Sequence, residues 1–96
     1  MEELTIPPAA YKDPGSVEVL RVWVANEGQH VTIRTGLWED PEAWGIILAD
    51  LARHVVNAYE QERSVDPAGA LAHIRAMFDA ELDSPTDLPR GTIVGN

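Results

Sequence analysis

The sequence predicts an α+β fold in which a β-hairpin is followed by two antiparallel helices. Residues 17–36 are rich in β-branched and aromatic side chains and are interrupted once by turn residues, which indicates two paired strands. Residues 40–83 repeat apolar side chains at three- and four-residue spacing, which indicates helices. Because a chain of 96 residues has the length of one domain, we expect residues 1–96 to form a single domain.

Residues 1–16 are expected to form an extended arm. Pro7, Pro8 and Pro14 lie within it, and proline opposes helices and central strands because it lacks a backbone N–H. Residues 17–25 then predict the first strand, and residues 30–35 predict its return partner.

The register of the hairpin follows from its apolar pattern. A two-residue loop at Glu27-Gly28 would place Val24 opposite Val31 and Arg21 opposite Arg34, with an apolar row along one face. A three-residue loop with a glycine bulge is the alternative, and it would set apolar residues opposite polar ones. We prefer the first register because it pairs side chains of like character.

Both helices are predicted to begin at an Asp-Pro pair. Asp40 and Asp66 are suitable N-caps, and Pro41 and Pro67 suit the first helical position. The connection between the helices, residues 63–66, is short, which favours an antiparallel pair.

Residues 84–96 contain two prolines and two glycines, and we predict an irregular tail. Within this tail, residues 92–94 (TIV) could add a short edge strand.

The first long helix is apolar on more sides than one partner helix can cover. Its apolar side chains at helical spacing are Trp44, Ile47, Leu48, Leu51, Val55, Ala58 and Tyr59. The first strand is also apolar on both faces, which is typical of a strand covered on both sides. We therefore expect a homodimer; the alternative is that the terminal segments fold back and complete a monomer.

The charge of the chain favours some partners and opposes others. Sixteen acidic and seven basic residues give a net charge of −9, which opposes binding to nucleic acid or to an anionic membrane. Solubility is the simplest interpretation, and a basic protein partner is the alternative.

The composition and the first residues suggest a location. The chain has no cysteine, which excludes thiolate chemistry and suits a reducing compartment. It starts with an acidic segment rather than a secretory signal, and no apolar run reaches the roughly 20 residues that span a bilayer. We expect a cytoplasmic protein.

Arg21, Trp23 and Arg34 form the candidate binding site. Two arginines facing each other on a sheet repel unless an anion or a carboxylate neutralises them, so the group could bind a small anion. The alternative is that Glu18, or an acid from a second subunit, supplies the counter-charge.

Asp50, His54 and His73 form a second candidate set. Asp50 and His54 are four residues apart, so a carboxylate could orient an imidazole for proton transfer or metal binding. The alternative is an ordinary ion pair on the helix surface, because zinc sites need three or four ligands and no metal, phosphate or nucleophile motif is present. We expect no cofactor and no metal.

Four segments of the chain carry a resemblance to a known family. Taken together they resemble a small bacterial family of unknown function: residues 4–10 (LTIPPAA), 17–27 (VEVLRVWVANE), 38–54 (WEDPEAWGIILADLARH) and 84–87 (SPTD). The resemblance implies no activity and transfers no functional residue.

The leading hypothesis from the sequence is a small non-enzymatic interaction or binding protein that acts as a homodimer. The alternative is a ligand-binding domain or an enzyme, with its site at Arg21, Trp23 and Arg34 or at the Asp50, His54 and His73 set.

Overall fold

The computed structural model describes residues 1–86 and the backbone of residues 91–94. In chain order the elements are α1 (Pro8–Lys12), β1 (Leu20–Ala25), β2 (Gly28–Arg34), α2 (Glu42–Arg63), α3 (Pro67–Asp83) and β3 (Gly91–Val94). The predicted α+β class, with a hairpin followed by two helices, is confirmed.

The chain divides into two compact units. The sheet unit contains α1 and the three strands, and the helical unit contains α2 and α3 within residues 38–86. Each unit is described by itself below.

The sequence analysis predicted that residues 1–16 form an extended arm, and this prediction is wrong for part of the segment. Pro8–Lys12 forms a short helix with proline in its first turn, where the missing N–H would have had no helical partner in any case. The Ser16 hydroxyl donates to the Ala10 carbonyl at 2.8 Å and closes the segment after this helix. The prediction relied on the number of prolines. Proline is compatible with the first turn of a helix and disrupts only its later turns.

The hairpin loop is Asn26-Glu27, so the predicted register was wrong. Ala25 pairs with Gly28 and Val22 with Val31. Asn26 and Glu27 have φ values of 50° and 61°, as the two central residues of a type I′ turn require. This turn matches the twist of the paired strands, and asparagine tolerates the left-handed conformation well.

The register differs from the predicted one by two residues, and the faces of the hairpin are preserved. Because side chains alternate between faces, a shift of two leaves each on its predicted side. Leu20 now lies opposite Ile33 and Val22 opposite Val31, while Val24 lies opposite Gln29. Arg21, however, lies opposite Thr32 and not opposite Arg34.

The short strand predicted at residues 92–94 is confirmed as β3 (Gly91–Val94). β3 pairs in parallel with β2, with Thr32 beside Thr92 and Ile33 beside Ile93. The strand order is β1-β2-β3, so β2 is central and both helices lie in the sequence between two parallel neighbours. Residues 84–96 are thus not irregular throughout.

The two long helices begin differently although both follow an Asp-Pro pair. The Asp66 carboxylate accepts from the Gly69 N–H at 2.9 Å, so the predicted N-cap of α3 is confirmed. Asp40 makes no such contact: α2 starts at Glu42 after Pro41 and has no side-chain cap. The predicted N-cap of α2 was therefore wrong.

The end of α2 explains how the chain reverses before α3. Ser64 adopts a left-handed conformation with φ of 54°, and its N–H donates to the Glu60 carbonyl. This conformation ends a helix while still satisfying one of its last carbonyls. Successively earlier turns of α2 lie beside successively later turns of α3, as an antiparallel pair requires.

The core of the described chain is small. Val56 on α2, 6% exposed, is the one residue within residues 1–86 that is buried. Among the described residues, no helix is both long enough and apolar enough to cross a bilayer.

Candidate functional site

The guanidinium of Arg21 is held by acids of its own chain. Its Nε and Nη2 donate to the two carboxylate oxygens of Glu18 at 3.0 and 3.1 Å, and its Nη1 donates to Glu3 at 3.3 Å. These contacts, and the Glu18 hydrogen bonds above all, raise the pKa of Arg21 above its ordinary value. Glu18 therefore supplies the counter-charge that the sequence analysis gave as the alternative to a bound anion.

Arg34 and Trp23 lie on the same face of the hairpin as Arg21. The Arg34 Nε donates to the Glu18 carbonyl at 2.9 Å, so both arginines are bound to the same residue. Trp23 lies opposite His30, whose Nε2 is 3.1 Å from the Ala25 carbonyl. The three predicted site residues thus share a face, while the guanidinium groups of Arg21 and Arg34 are engaged within the sheet unit. Binding of an anion by this group stays a prediction.

Asp50 and His54 meet as the spacing predicted. The Asp50 Oδ2 and the His54 Nε2 are 3.3 Å apart, and both side chains are exposed. His73 lies on α3 and is also exposed. Within residues 1–86 and the third strand, no group of three His, Cys, Asp or Glu side chains is arranged to hold a metal ion. The geometry is that of a surface ion pair.

A groove lies between α2 and α3 in the helical unit. Its volume is about 410 Å³, which is within the range of small-molecule sites. Its floor consists of small residues of α2 and larger apolar residues of both helices: Gly45, Leu48, Ala49, Ala52, Leu71, Ile74 and Phe78. A second hollow of about 360 Å³ shares Arg53 and Leu71 with it and extends it toward the connection between the helices.

Positive charge is concentrated at the rim of this groove. Residues 38–86 contain ten acids and three arginines, and two of the three, Arg53 and Arg75, line the groove beside Asp79. Neither arginine forms a salt bridge within residues 1–86. The third, Arg63, lies over the Tyr59 ring with 5.7 Å to the ring centroid. The groove therefore combines an apolar floor with two guanidinium groups that could bind a carboxylate.

The sequence analysis missed this groove. Gly45, Ala49 and Ala52 follow each other at four- and three-residue spacing, which places them on one side of α2. This spacing of small residues could have indicated a groove, but whether a groove forms depends on how closely α3 approaches α2.

Two tryptophans mark the start of α2. The rings of Trp38 and Trp44 meet edge to face, with centroids 5.8 Å apart and planes at 88°. This is a favourable aromatic arrangement, and it connects the segment before α2 to the first turn of the helix, where no side chain caps it.

A hairpin extended by a parallel third strand, together with an antiparallel pair of helices, defines a small α+β protein. A family model described as "Domain of unknown function (DUF5076)" matches residues 3–86, and the chain belongs to this family. The predicted membership of a family without assigned activity is thereby confirmed. No curated protein matches the chain.

A solved structure with a related sequence shares the fold. It is described as the structure of "a putative pyruvate dehydrogenase from the photosynthetic bacterium Rhodopseudomonas palustrus CGA009". It is 36% identical to this chain, with a TM-score of 0.74, and the match covers 92% of this chain and 90% of that one.

Proposed function

We propose that this protein is a small non-enzymatic interaction protein that acts as a homodimer. The observation that carries the proposal is the amount of surface that one copy leaves open to water. The accessible surface of the chain is 8401 Å². A compact monomer of 10.5 kDa would expose about 5,400 Å² by the usual scaling of surface with mass.

An excess remains when the two units are treated as separate globules. Two separate globules, each with half the mass, would together expose about 6,500 Å² on the same scaling. The chain still exceeds this value by about 1,900 Å². A stable complex buries about 800 Å² per partner, so the excess is large enough for an interface.

Much of the open surface is apolar. Val24 in the sheet unit is 84% exposed, and Met77 and Leu82 in the helical unit are also largely exposed. Single exposed apolar residues are normal, but contiguous apolar surface is typical of interaction sites. A second copy is the simplest partner, since twofold pairs are by far the commonest assemblies.

Sedimentation or light scattering over a wide concentration range tests the proposal. We expect a species of about twice 10.5 kDa at micromolar concentration. Salt sharpens the test, because two copies of net charge −9 repel each other and screening should tighten the dimer. A basic protein partner would instead be released by salt. A monomer at every concentration and salt level would refute the homodimer.

The groove supports a second candidate function, the binding of a small apolar carboxylate. Arg53 and Arg75 would bind the acid group, and the apolar floor would hold the rest of the molecule. Pyruvate is one probe, because of the description of the related structure, and octanoate is a longer one. A ligand that binds only the folded state raises the melting temperature.

Matched variants distinguish this site from the predicted one. If the groove binds the acid, Arg53→Gln and Arg75→Gln should abolish the thermal shift while Arg21→Gln preserves it. The reverse pattern would place the anion at Arg21, Trp23 and Arg34. Loss of the shift in His54→Ala alone would favour the Asp50, His54 and His73 set.

We also propose a cytoplasmic location, on the ground that the chain contains no cysteine that an oxidising compartment could pair. Fractionation of cells that express the native protein tests this. Recovery from the membrane or the secreted fraction would refute it.

A further inference from the structure

We infer that the groove between α2 and α3 binds a free α-amino acid with an apolar side chain. The inference rests on the second proposed function, the binding of an apolar carboxylate, and adds the group that the ligand carries beside its carboxylate. Arg53 and Arg75 bind the carboxylate, Asp79 binds the ammonium group, and the apolar floor holds the side chain of the ligand.

Asp79 is an exception among the acids of the helical unit. Residues 38–86 contain ten acids, and Asp79 is the only one of these ten that lines either hollow. It follows Arg75 by four residues, a spacing that lets a carboxylate and a guanidinium on one helix pair. Nevertheless it forms no salt bridge with Arg75 or with any other group within residues 1–86. The groove therefore presents one acidic and two basic groups to a ligand.

The three charged groups follow one another along the groove. Arg53 and Leu71 line both hollows, so these two residues lie at similar levels of the helix pair. Arg75 is four residues beyond Leu71 on α3, and Asp79 is four residues beyond Arg75. Each of these steps is about 6 Å at 1.5 Å per residue. The order is therefore guanidinium, guanidinium and carboxylate, with the opposite charges of α3 on adjacent turns.

This order of charges matches an α-amino acid better than a simple acid. The carboxylate and the ammonium of an α-amino acid are bonded to the same carbon, so they lie side by side, as Arg75 and Asp79 do on adjacent turns. A simple acid places its carboxylate near Asp79 with no positive group between them, and like charges repel. An amino group at the far end of an apolar chain would lie on the apolar floor, where a charge without a partner costs free energy.

The floor of the groove has room for a branched apolar side chain. Gly45, Ala49 and Ala52 are small residues of α2, and Leu71 and Ile74 are half-buried residues of α3. A Cβ built at Gly45 meets nothing within 4 Å, so that end of the groove is open. The volume of about 410 Å³ lies within the range of small-molecule sites. Leucine is therefore the probe.

Three compounds with the same branched carbon chain separate the two charges of the ligand. Leucine carries both charges, 4-methylpentanoate lacks the ammonium group, and 3-methylbutylamine lacks the carboxylate. We expect leucine to bind about fivefold more tightly than either of the others, which is the contribution of an ion pair open to solvent. Isothermal titration calorimetry measures the dissociation constants. Equal binding of leucine and 4-methylpentanoate would overturn the inference.

Asp79→Asn and Asp83→Asn form a matched pair of variants. Both remove one negative charge from α3, but Asp83 lines neither hollow. The pair is needed because a net charge of −9 by itself disfavours an anion. Asp79→Asn should reduce the preference for leucine over 4-methylpentanoate to less than about twofold, whereas Asp83→Asn should keep it near about fivefold. Equal loss of the preference in both variants would contradict the role of Asp79.

Two further variants test the rest of the site. Arg75→Gln should weaken leucine and 4-methylpentanoate by the same factor, because both carry the carboxylate that Arg75 binds. Ala49→Leu fills the groove and should weaken both compounds as well. Circular dichroism checks that each variant retains its helices, and the exposed positions of Arg75 and Asp79 favour folded variants. Unchanged binding of leucine in Ala49→Leu would overturn the inference, since the ligand would then lie outside the groove.

The outcomes separate this inference from the proposed function. Binding of 4-methylpentanoate and octanoate in the groove without a preference for leucine would refute the amino acid and leave the carboxylate site in place. Binding of leucine that depends on Asp79, with no binding of either acid, would uphold the inference and narrow the proposed function to amino acids. Binding of none of these compounds to the wild type would refute both.

Discussion

The sheet unit and the helical unit differ in whether their arginines bind other groups of the same chain. In the sheet unit, Arg21 and Arg34 bind acids and a carbonyl of the same unit, with Glu18 contacting both. In the helical unit, Arg53 and Arg75 lie at the rim of an apolar groove and form no salt bridge within the described residues. The comparison teaches that an acid of the same chain neutralises Arg21, whereas none does so for Arg53 or Arg75 within the described residues.

The largest expected effect is at Val56, the one buried residue among residues 1–86. Val56→Asp should destabilise the protein by about 3 kcal/mol or more, because it places a carboxylate without a partner in the core. Urea unfolding followed by circular dichroism measures the change. Ile46→Asp is the control and should cost less than about 1 kcal/mol. Equal losses would contradict the assignment of the core to the contact around Val56.

The two Asp-Pro pairs provide the next test. Asp66→Ala should destabilise the protein by about 1 kcal/mol, because it removes the hydrogen bond to the Gly69 N–H. Asp40→Ala should change the free energy of unfolding by less than about 0.5 kcal/mol, since Asp40 does not cap α2 through its side chain. Denaturant unfolding of the two variants side by side checks the difference, and a larger loss for Asp40→Ala would reverse it.

Gly45 allows a smaller change of the opposite sign. Gly45→Ala should stabilise the protein by about 0.5–1 kcal/mol, because glycine is unfavourable inside a helix. A Cβ built at Gly45 meets nothing within 4 Å, so the methyl group fits. Thermal unfolding measures the gain. A lower melting temperature would mean that another surface approaches Gly45 closely. If the melting temperature fell only under conditions in which the protein is dimeric, that surface would belong to the second copy.

The smallest effect is expected at the exposed ion pair of the sheet unit. Glu18→Gln should change the melting temperature little, because ion pairs open to solvent contribute little to stability. The raised pKa of Arg21 gives a contribution that is present below its unfolded pKa and is lost only as pH rises through the higher folded value. It should therefore produce no pH dependence near neutrality. If pyruvate or another anion raises the melting temperature of Glu18→Gln but not of the wild type, the site at Arg21, Trp23 and Arg34 can bind an anion. The Glu18 carboxylate then takes the place of that anion in the wild type.

Several features of the fold were predictable because they depend on neighbours in the sequence. Alternation of apolar residues assigned Leu20 and Val22 to one face of the hairpin, and that face survived the error in register. The Asp66 cap was predictable because its partner, Gly69, is three residues away. The Asp50–His54 contact follows from helical spacing in the same way.

The errors share a different cause. Register could not be read from the apolar pattern, because a shift of two residues preserves it and only the backbone of Asn26 and Glu27 selects one pairing. The groove of Arg53 and Arg75 was missed because it exists only when α3 lies beside α2. The role of Glu18 was left open because it depends on how the strands pair. Its carboxylate binds Arg21, and its carbonyl binds Arg34.

The sequence by itself determined that the hairpin strands and the two long helices form and which of their sides are apolar, because the repeats of two and of 3.6 residues are local properties. The short helix Pro8–Lys12 was not among them. Only the tertiary structure decided that Glu3 also binds Arg21, that β3 joins β2 in parallel, and that α2 and α3 form a groove. Each of those contacts joins residues that are separated along the chain or depends on the close approach of two elements. Their free energy is set by distance and orientation in space, which a pattern in the sequence does not contain.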